Sequence, residues 1–260
     1  EVDGSKILFD TGSRKNTVIQ NANEMGINLN SIKNLFISHN HKDHTGGLKS
    51  LKKEFPSSFL KIHVGKGIFY PRSNNTNSKH YILENKEIIE SLGSEFITHI
   101  KPKQIIPGIW TTGIVPRKFE ERNWSGSGKL KNPVGEIIED TIPEDQSLFF
   151  DTKKGIVLVS GCGHAGLVNT LEHIKKIIPN RPIYKILGGF HLLKLNSEKL
   201  KWTANKMKEA GVKYFVGAHC TGINSTYKIR DFMNLSEDKG LVGSVGTYID
   251  KNGIHTGYMQ

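Results

Sequence analysis

Short apolar runs alternate with amphipathic stretches along most of the chain. KILFDTG (residues 6 to 12) predicts a buried strand ending in a turn, and NTVIQNANEMGI predicts a helix closing near Gly26. NLFIS (34 to 38) predicts a second strand, a helix runs roughly from Gly47 to Lys53, and FLKIHVG (59 to 65) predicts a third strand. The resulting order is β-α-β-α-β, that of an α/β layered domain whose loops carry function. Regular alternation resumes with QSLFFDTKKGIVLVSGCGH, a hairpin turning at Lys153 to Gly155. GLVNTLEHIKKII then predicts a helix, YKILGGFHL a strand and loop, and SEKLKWTANKMKEAG a helix ending at Gly211. KYFVGAHCTG predicts another strand and loop, and GLVGSVGTYI and GIHTGYMQ predict strands at the end.

Residues 66 to 135 break this rhythm with SNNTNS, NWSGSG and several prolines. They are expected to form an irregular insertion, with the helix ENKEIIESLG and two or three short strands, acting as a substrate lid within one domain of residues 1 to 260. No stretch approaches the ~18 uninterrupted apolar residues of a membrane span, so no membrane association is expected. The start, EVDGSKILFD, lacks Met and lies inside a strand pattern, which suggests a missing N-terminal segment. Cys162 and Cys220 are too few for a disulfide framework and favour a reducing cytoplasm. Lys plus Arg number 36 against 25 Asp plus Glu, a net charge of +11 that suits a phosphorylated or otherwise anionic substrate. The charges are spread along the chain, with no dense basic run of the kind nucleic-acid binders carry, and many lysines simply solvate helix faces.

The chemistry concentrates in SHNHKDHTGG (38 to 47), which places His39, His41, Asp43 and His44 directly after an apolar strand. His39 and His41 alternate in an extended loop and can chelate one ion; Asp43 and His44 turn toward a second. Other predicted strand ends carry Asp10, His164, His191 and His219, and strand carboxyl ends share one edge of a layered α/β sheet. The assignment is His39, His41 and His164 at one metal and Asp43, His44 and His219 at the other. Imidazole and carboxylate suit two divalent ions, zinc first, with iron or manganese also accepted. A water bound to such ions has its pKa lowered from 15.7 to about 7, and a bridging hydroxide defines metal-assisted hydrolysis. Asp43 and His191 are the catalytic candidates, His191 as proton donor or substrate contact. Asp10 in FDTG reads as a carboxylate orienting a metal-bound histidine, with helix capping as the alternative. His164 and His219 could instead be satisfied structural histidines. Cys162 and Cys220 read as small buried fillers, with a metal or redox role as the alternative. His63, His80, His99, His173 and His255 have no accompanying ligand signal and read as structural.

H-x-H-x-D-H at His39 to His44, preceded by DTG at Asp10 to Gly12, resembles the metallo-β-lactamase superfamily. The resemblance implies an αββα sandwich of two mixed sheets with helices outside, and carries the family's metal motif onto His39, His41, Asp43 and His44 and its final histidine onto His219. TTGIVPRKFE, EDQSLFF, VSGCGHAGLVNTLE, GGFHL, AHCTG and GSVG resemble one branch, that of the 7,8-dihydropterin-6-yl-methyl-4-(β-D-ribofuranosyl)aminobenzene 5'-phosphate synthases, also described as metal-dependent hydrolases. Two turns depart from the broader superfamily. IPEDQS stands where many members have a histidine, and Cys162 of SGCGH stands where a bridging aspartate is expected. His164 is expected to take over a ligand role, with Cys162 and Asp145 beside the metals and Glu144 or Asp145 able to reach them.

Three functions follow. The first is a dinuclear metal-dependent hydrolase of an anionic small molecule. The second, implied by the branch, is a transferase that couples a pterin-methyl diphosphate to a ribosylated aminobenzoate phosphate with loss of diphosphate. The third, ranked last, is a non-enzymatic sensor or nucleic-acid-binding protein. Arg117, Arg72, Lys79 and Lys118 are candidate phosphate contacts, Arg117 foremost; Phe119 or Trp124 could stack on a flat heterocycle.

Overall fold

The computed structural model describes residues 4–73 and 81–257. The first three residues, Lys79 and His80 lie outside the described residues. The elements run β1 (Ile7–Phe9), α1 (Thr17–Glu24), β2 (Asn34–Phe36), α2 (Lys42–Thr45), α3 (Leu48–Glu54), β3 (Lys61–Gly65), β4 (Arg72–Ser73), α4 (Tyr81–Ser91) and β5 (Glu95–His99). There follow β6 (Lys103–Ile106), β7 (Ile109–Thr111), β8 (Lys129–Lys131), β9 (Ile137–Glu139), β10 (Leu148–Thr152), β11 (Gly155–Ser160), α5 (Leu167–Ile177) and β12 (Ile183–Gly188). The remainder is α6 (Ser197–Ala210), β13 (Tyr214–Gly217), a 3-10 turn at His219–Thr221, α7 (Ile223–Met233), β14 (Gly240–Val242), β15 (Tyr248–Ile249) and β16 (Ile254–His255). Among the described residues no helix is long and apolar enough to cross a membrane.

The chain divides into two compact units, Glu1–Lys101 with Trp124–Gln146, and Pro102–Asn123 with Ser147–Gln260. In the first, β1-β2-β3-β5 form a wholly parallel sheet, with Leu8 opposite Leu35, Leu35 opposite Ile62, and Ile62 opposite Phe96. Its core joins Leu35, Ile62 and Val64 to Leu48 and Leu51 of α3 and Ile82 and Ile89 of α4. Burying each such side chain contributes about 1.5–3 kcal/mol. Since all four strands run the same way, the loops after Phe9 and Phe36 emerge at the same edge. A small antiparallel sheet, β4-β8-β9, belongs to the same unit.

The second unit is built on a seven-stranded sheet, β14-β13-β12-β11-β10-β7-β6. The strands β11 to β14 pair in parallel, and β11-β10-β7-β6 pair antiparallel. Phe149, Leu158, Ile186 and Phe215 of the sheet pack with Leu171 of α5, Ala204 and Met207 of α6 and Ile229 of α7. The loops after β11, β12 and β13 carry Cys162 and His164, His191, and His219 and Cys220 to one edge. Asn196 caps α6 by accepting from the Lys199 amide, and α6 ends at Gly211 in the left-handed conformation, as its sequence predicts.

Two elements differ from the pattern reading. α7 is absent from it, because the buried face of this helix is half polar: Ser225 and Thr226 lie beside Ile229 and Met233, and no apolar period shows. The hydroxyls of Ser225 and Thr226 are satisfied by the carbonyls of Leu192 and Gly222. Among their described residues, 66–135 hold α4 and five strands where two or three were expected, with β5 completing the parallel sheet and β6 and β7 completing the mixed one.

Candidate metal centre

In the first unit the histidine-rich loop is clamped at both ends. The Thr11 amide and hydroxyl donate to the His44 carbonyl at 2.8 and 2.9 Å, fixing α2 against the turn after β1. Asp10, at φ 57°, turns that chain sharply and accepts from the Ser38 amide at 2.8 Å and the Ser38 hydroxyl at 2.8 Å. The same carboxylate accepts from His44 Nδ1 at 2.6 Å. His39 is fully buried, with Nδ1 2.9 Å from Ser38 Oγ and Nε2 2.9 Å from His41 Nδ1. The His39 and His44 rings are 4.1 Å apart, and Asp43 Oδ2 lies 3.5 Å from His44 Nε2. His39, His41, Asp43 and His44 thus come together with Asp10.

The local charges separate two of these imidazoles. Burial depresses the His41 pKa, the Asp43 charge opposes it, and nearby His44 and Arg72 add to the depression, leaving it at about 4. Burial also acts on His44, but the charge and hydrogen bond of Asp10, helped by Asp43, overcome it and raise the pKa to about 10.

Glu144 and Asp145 are both buried in this unit. Glu144 Oε1 accepts from the Asn40 amide at 3.2 Å, and its other oxygen accepts from Arg72 Nη2. Burial pushes its carboxyl above the ordinary range despite the Arg72 charge. Arg72 also donates from Nε to Asp140 at 2.6 Å and from Nη1 to the Gly67, Ile68 and Tyr70 carbonyls. The Arg72 side chain is 10% exposed, and its guanidinium donates to the protein's own carboxylates and carbonyls. Trp124 donates to Glu139 at 3.0 Å.

In the second unit, His164 Nδ1 donates to the Asn123 carbonyl, which makes Nε2 the lone-pair nitrogen. Cys162, His164 and His191 offer donor atoms within 4.8 Å of one another, and so do Cys162, His219 and Cys220. The His164 and His191 rings are 4.7 Å apart, and the buried His191 Nδ1 makes no hydrogen bond. His191 and His219 sit at φ 52° and 51°, as Asp10 does at 57°. Holding a non-glycine residue there costs on the order of 1 kcal/mol each, and such strain clusters at functional sites. Cys220 lies beside Cys162 and His191. A hydrogen bond with Cys162 lowers its thiol most, burial opposes, and His191 adds, leaving the pKa at about 4.

The segment after β7 braces this loop. Arg117 Nη1 donates to the His164 carbonyl at 2.9 Å, and Asn123 Nδ2 donates to the Gly163 carbonyl at 3.0 Å. The Lys118 and Phe119 amides donate to Asn169 Oδ1, and the Phe119 ring packs edge-on to Trp202 at 5.9 Å. Glu121, buried, accepts from the Val168 and Asn169 amides at the start of α5. Sequence reasoning missed Glu121, Asn123 and Asn169. Their partners lie some 40 residues or more away, so no local pattern marks them. Among the histidines read as structural, His63 Nδ1 meets His99 Nε2 at 2.9 Å, His173 donates to the Thr112 carbonyl and His255 pairs with Asp250.

The donors fit divalent metal ions. Imidazole nitrogens and carboxylate oxygens predominate, and the second ring nitrogens of His39, His44 and His164 are each held by Ser38, Asp10 and Asn123, the support that metal-bound histidines require.

Comparison with known proteins agrees. A family model described as the anti-Pycsar protein Apyc1 matches residues 1–61. A Methanocaldococcus jannaschii protein named 7,8-dihydropterin-6-methyl-4-(beta-D-ribofuranosyl)-aminobenzene-5'-phosphate synthase is 33% identical over 230 residues, 85% of this chain and 76% of its own length. An uncharacterized protein of the same organism is 28% identical over 260 residues, 96% of this chain and 90% of its own. The crystal structure of Tm1679, described as a metal-dependent hydrolase of the beta-lactamase superfamily, superposes with a TM-score of 0.74 at 25% identity, covering 91% of this chain and 84% of that one. The α/β fold, the strand-end histidines and these relatives together show that the chain is an enzyme belonging to the metallo-β-lactamase superfamily, in the branch of the dihydropterin-ribofuranosylaminobenzene phosphate synthase.

Proposed function

We propose that the chain is a dinuclear metal-dependent hydrolase of a phosphorylated or otherwise anionic small molecule. The observation that supports it most is the Asp10–His44 pair within a cluster whose ring nitrogens already face one another. The proposed ligands are His39, His41 and His164 for one ion and Asp43, His44 and His219 for the other, with zinc the first choice. When bound, two such ions would lower the pKa of water toward neutrality and hold substrate oxygens electrophilically.

The chain's own residues do the rest. Asp10 holds the His44 ring in one orientation through Nδ1, and the Asn123 carbonyl does the same for His164. His191, whose Nδ1 makes no hydrogen bond among the described residues, is the proposed donor of a proton to a departing oxygen. Arg117, anchored on the His164 carbonyl, presents an exposed cation to the substrate, with Phe119 beside it. Cys162 and Asp145 line the ions without carrying the reaction, and residues 66–135 act as the lid.

Metal analysis of the purified protein, combined with hydrolysis of a panel of phosphate mono- and diesters, tests this reading. Two ions per chain, with ions and hydrolysis lost in His39→Ala, are expected. One ion, or hydrolysis that survives the substitution, overturns it.

The 33% identical relative favours a second reading, C–N coupling with loss of diphosphate. The same ions would hold the departing diphosphate. Incubation with a pterin-methyl diphosphate and a ribosylated aminobenzoate phosphate distinguishes the two, because coupled product appears only in the second.

A further inference from the structure

Both cysteines belong to the second unit and follow parallel strands, Cys162 after β11 and Cys220 after β13. β12 runs between those strands. At about 4.8 Å per strand the two backbones would stand roughly 10 Å apart, whereas a disulfide needs Cα atoms within about 7 Å. The two glycines at the end of β12 leave the space between the flanking loops open to the cysteine side chains. A Cβ on Gly189 would stand 2.9 Å from Cys220 Sγ and 2.1 Å from the Gly161 carbonyl oxygen, and one on Gly188 would stand 1.9 Å from the Ser160 oxygen. With neither position carrying a side chain, Cys220 Sγ comes within 3.6 Å of the Cys162 carbonyl oxygen, and the two sulfurs lie within 4.8 Å of each other. Neither is in a disulfide, Cys162 being buried and Cys220 half-buried.

We propose that Cys162 and Cys220 are a modification site, closing into a reversible disulfide when the protein meets a peroxide. The more accessible Cys220 sulfur attacks the peroxide oxygen, giving a sulfenic acid at Cys220 and releasing the alcohol, or water from hydrogen peroxide. The Cys162 sulfur then attacks the sulfenyl sulfur; the S–S bond forms, the S–O bond breaks, and the Cys162 proton leaves with the hydroxyl as water. Two thiols are oxidised by two electrons and one peroxide O–O bond is reduced. The bond ties the loop bearing His219 to the loop bearing His164. Nothing in this step depends on which reaction the enzyme catalyses.

The test uses the purified protein with whatever metal it retains, exposed to equimolar hydrogen peroxide without denaturant. The expected result is loss of both titratable thiols, an intact mass lower by two hydrogens, one peptide pair joining Cys162 to Cys220, and recovery of both thiols with dithiothreitol. In Cys162→Ser, the Cys220 sulfenic acid has no partner and is trapped by dimedone. Thiols that persist, a mass raised by oxygen with no joined peptide, or chain-to-chain cross-links on a non-reducing gel would each overturn the proposal. The peptide map of the native chain decides the matter even where the variant folds poorly.

Discussion

His44 Nδ1 donates to Asp10 Oδ2 at 2.6 Å, and the remaining Asp10 oxygen accepts from the Ser38 amide. One carboxylate therefore fixes both the His44 ring of α2 and the loop that carries His39. Asp10→Asn keeps the shape and removes the charge. Metal affinity is expected to fall about 10- to 100-fold, the usual cost of losing a histidine's supporting carboxylate. Competition against a chelating dye measures it, and unchanged affinity would remove Asp10 from the site.

The metal-stripped protein has a distinct pH profile. His44 is raised from 6.5 to about 10, so its contribution is fully present below pH 6.5 and is lost as pH rises through 10. His41 is lowered from 6.5 to about 4, so the unfolded chain binds the extra proton between those values and stability falls as pH drops from 6.5 toward 4. Chelator-treated protein should therefore be most stable near pH 6.5 by urea titration, with the alkaline fall abolished in Asp10→Asn.

Arg72 sits on two buried carboxylates, Asp140 and Glu144. Arg72→Met leaves both uncompensated and is expected to cost about 3–5 kcal/mol. Urea unfolding reads this, and Glu144→Gln in the Arg72→Met background should recover part of it. A variant of native stability would show that Arg72 does not hold these carboxylates.

Glu121 caps α5 from 47 and 48 residues away through the Val168 and Asn169 amides. Glu121→Gln retains one acceptor but loses the charge at the helix N-terminus, an expected loss of about 1 kcal/mol. The change should leave bound-metal stoichiometry intact; loss of an ion would show that Glu121 does more than hold the helix.

Chelation itself should lower the melting temperature. Ligand held at a hundredfold over its dissociation constant adds about 2.7 kcal/mol to folding, and that increment disappears on stripping. Calorimetry with and without added zinc measures it, and a melting temperature indifferent to zinc would exclude metal from the folded state's stability.

Much of this was legible along the chain because it is local. The order of strand, turn and polar residue at Phe9–Asp10 and Phe36–His39 follows from apolar runs that end in polar residues, and Gly211 ends α6 where only a left-handed residue closes the helix. α7 was not legible, since Ser225 and Thr226 on its buried face bond to backbone carbonyls instead of packing as apolar groups. The partners of Arg72 were not legible either: Asp140 and Glu144 lie 68 and 72 residues away and meet it only in the folded chain.

The sequence by itself determined the α/β class, the parallel strand ends and the residue types able to hold metal, because hydrophobic period and ligand spacing are properties of neighbouring residues. Only the tertiary structure decided which side chains support them. Asp10 reaches His44, Asn123 sets the His164 tautomer, Glu121 caps α5, and Gly189 lets Cys220 approach Cys162. Each of those relationships joins residues far apart in the chain, and hydrogen-bond geometry and close packing act only once folding has made them neighbours.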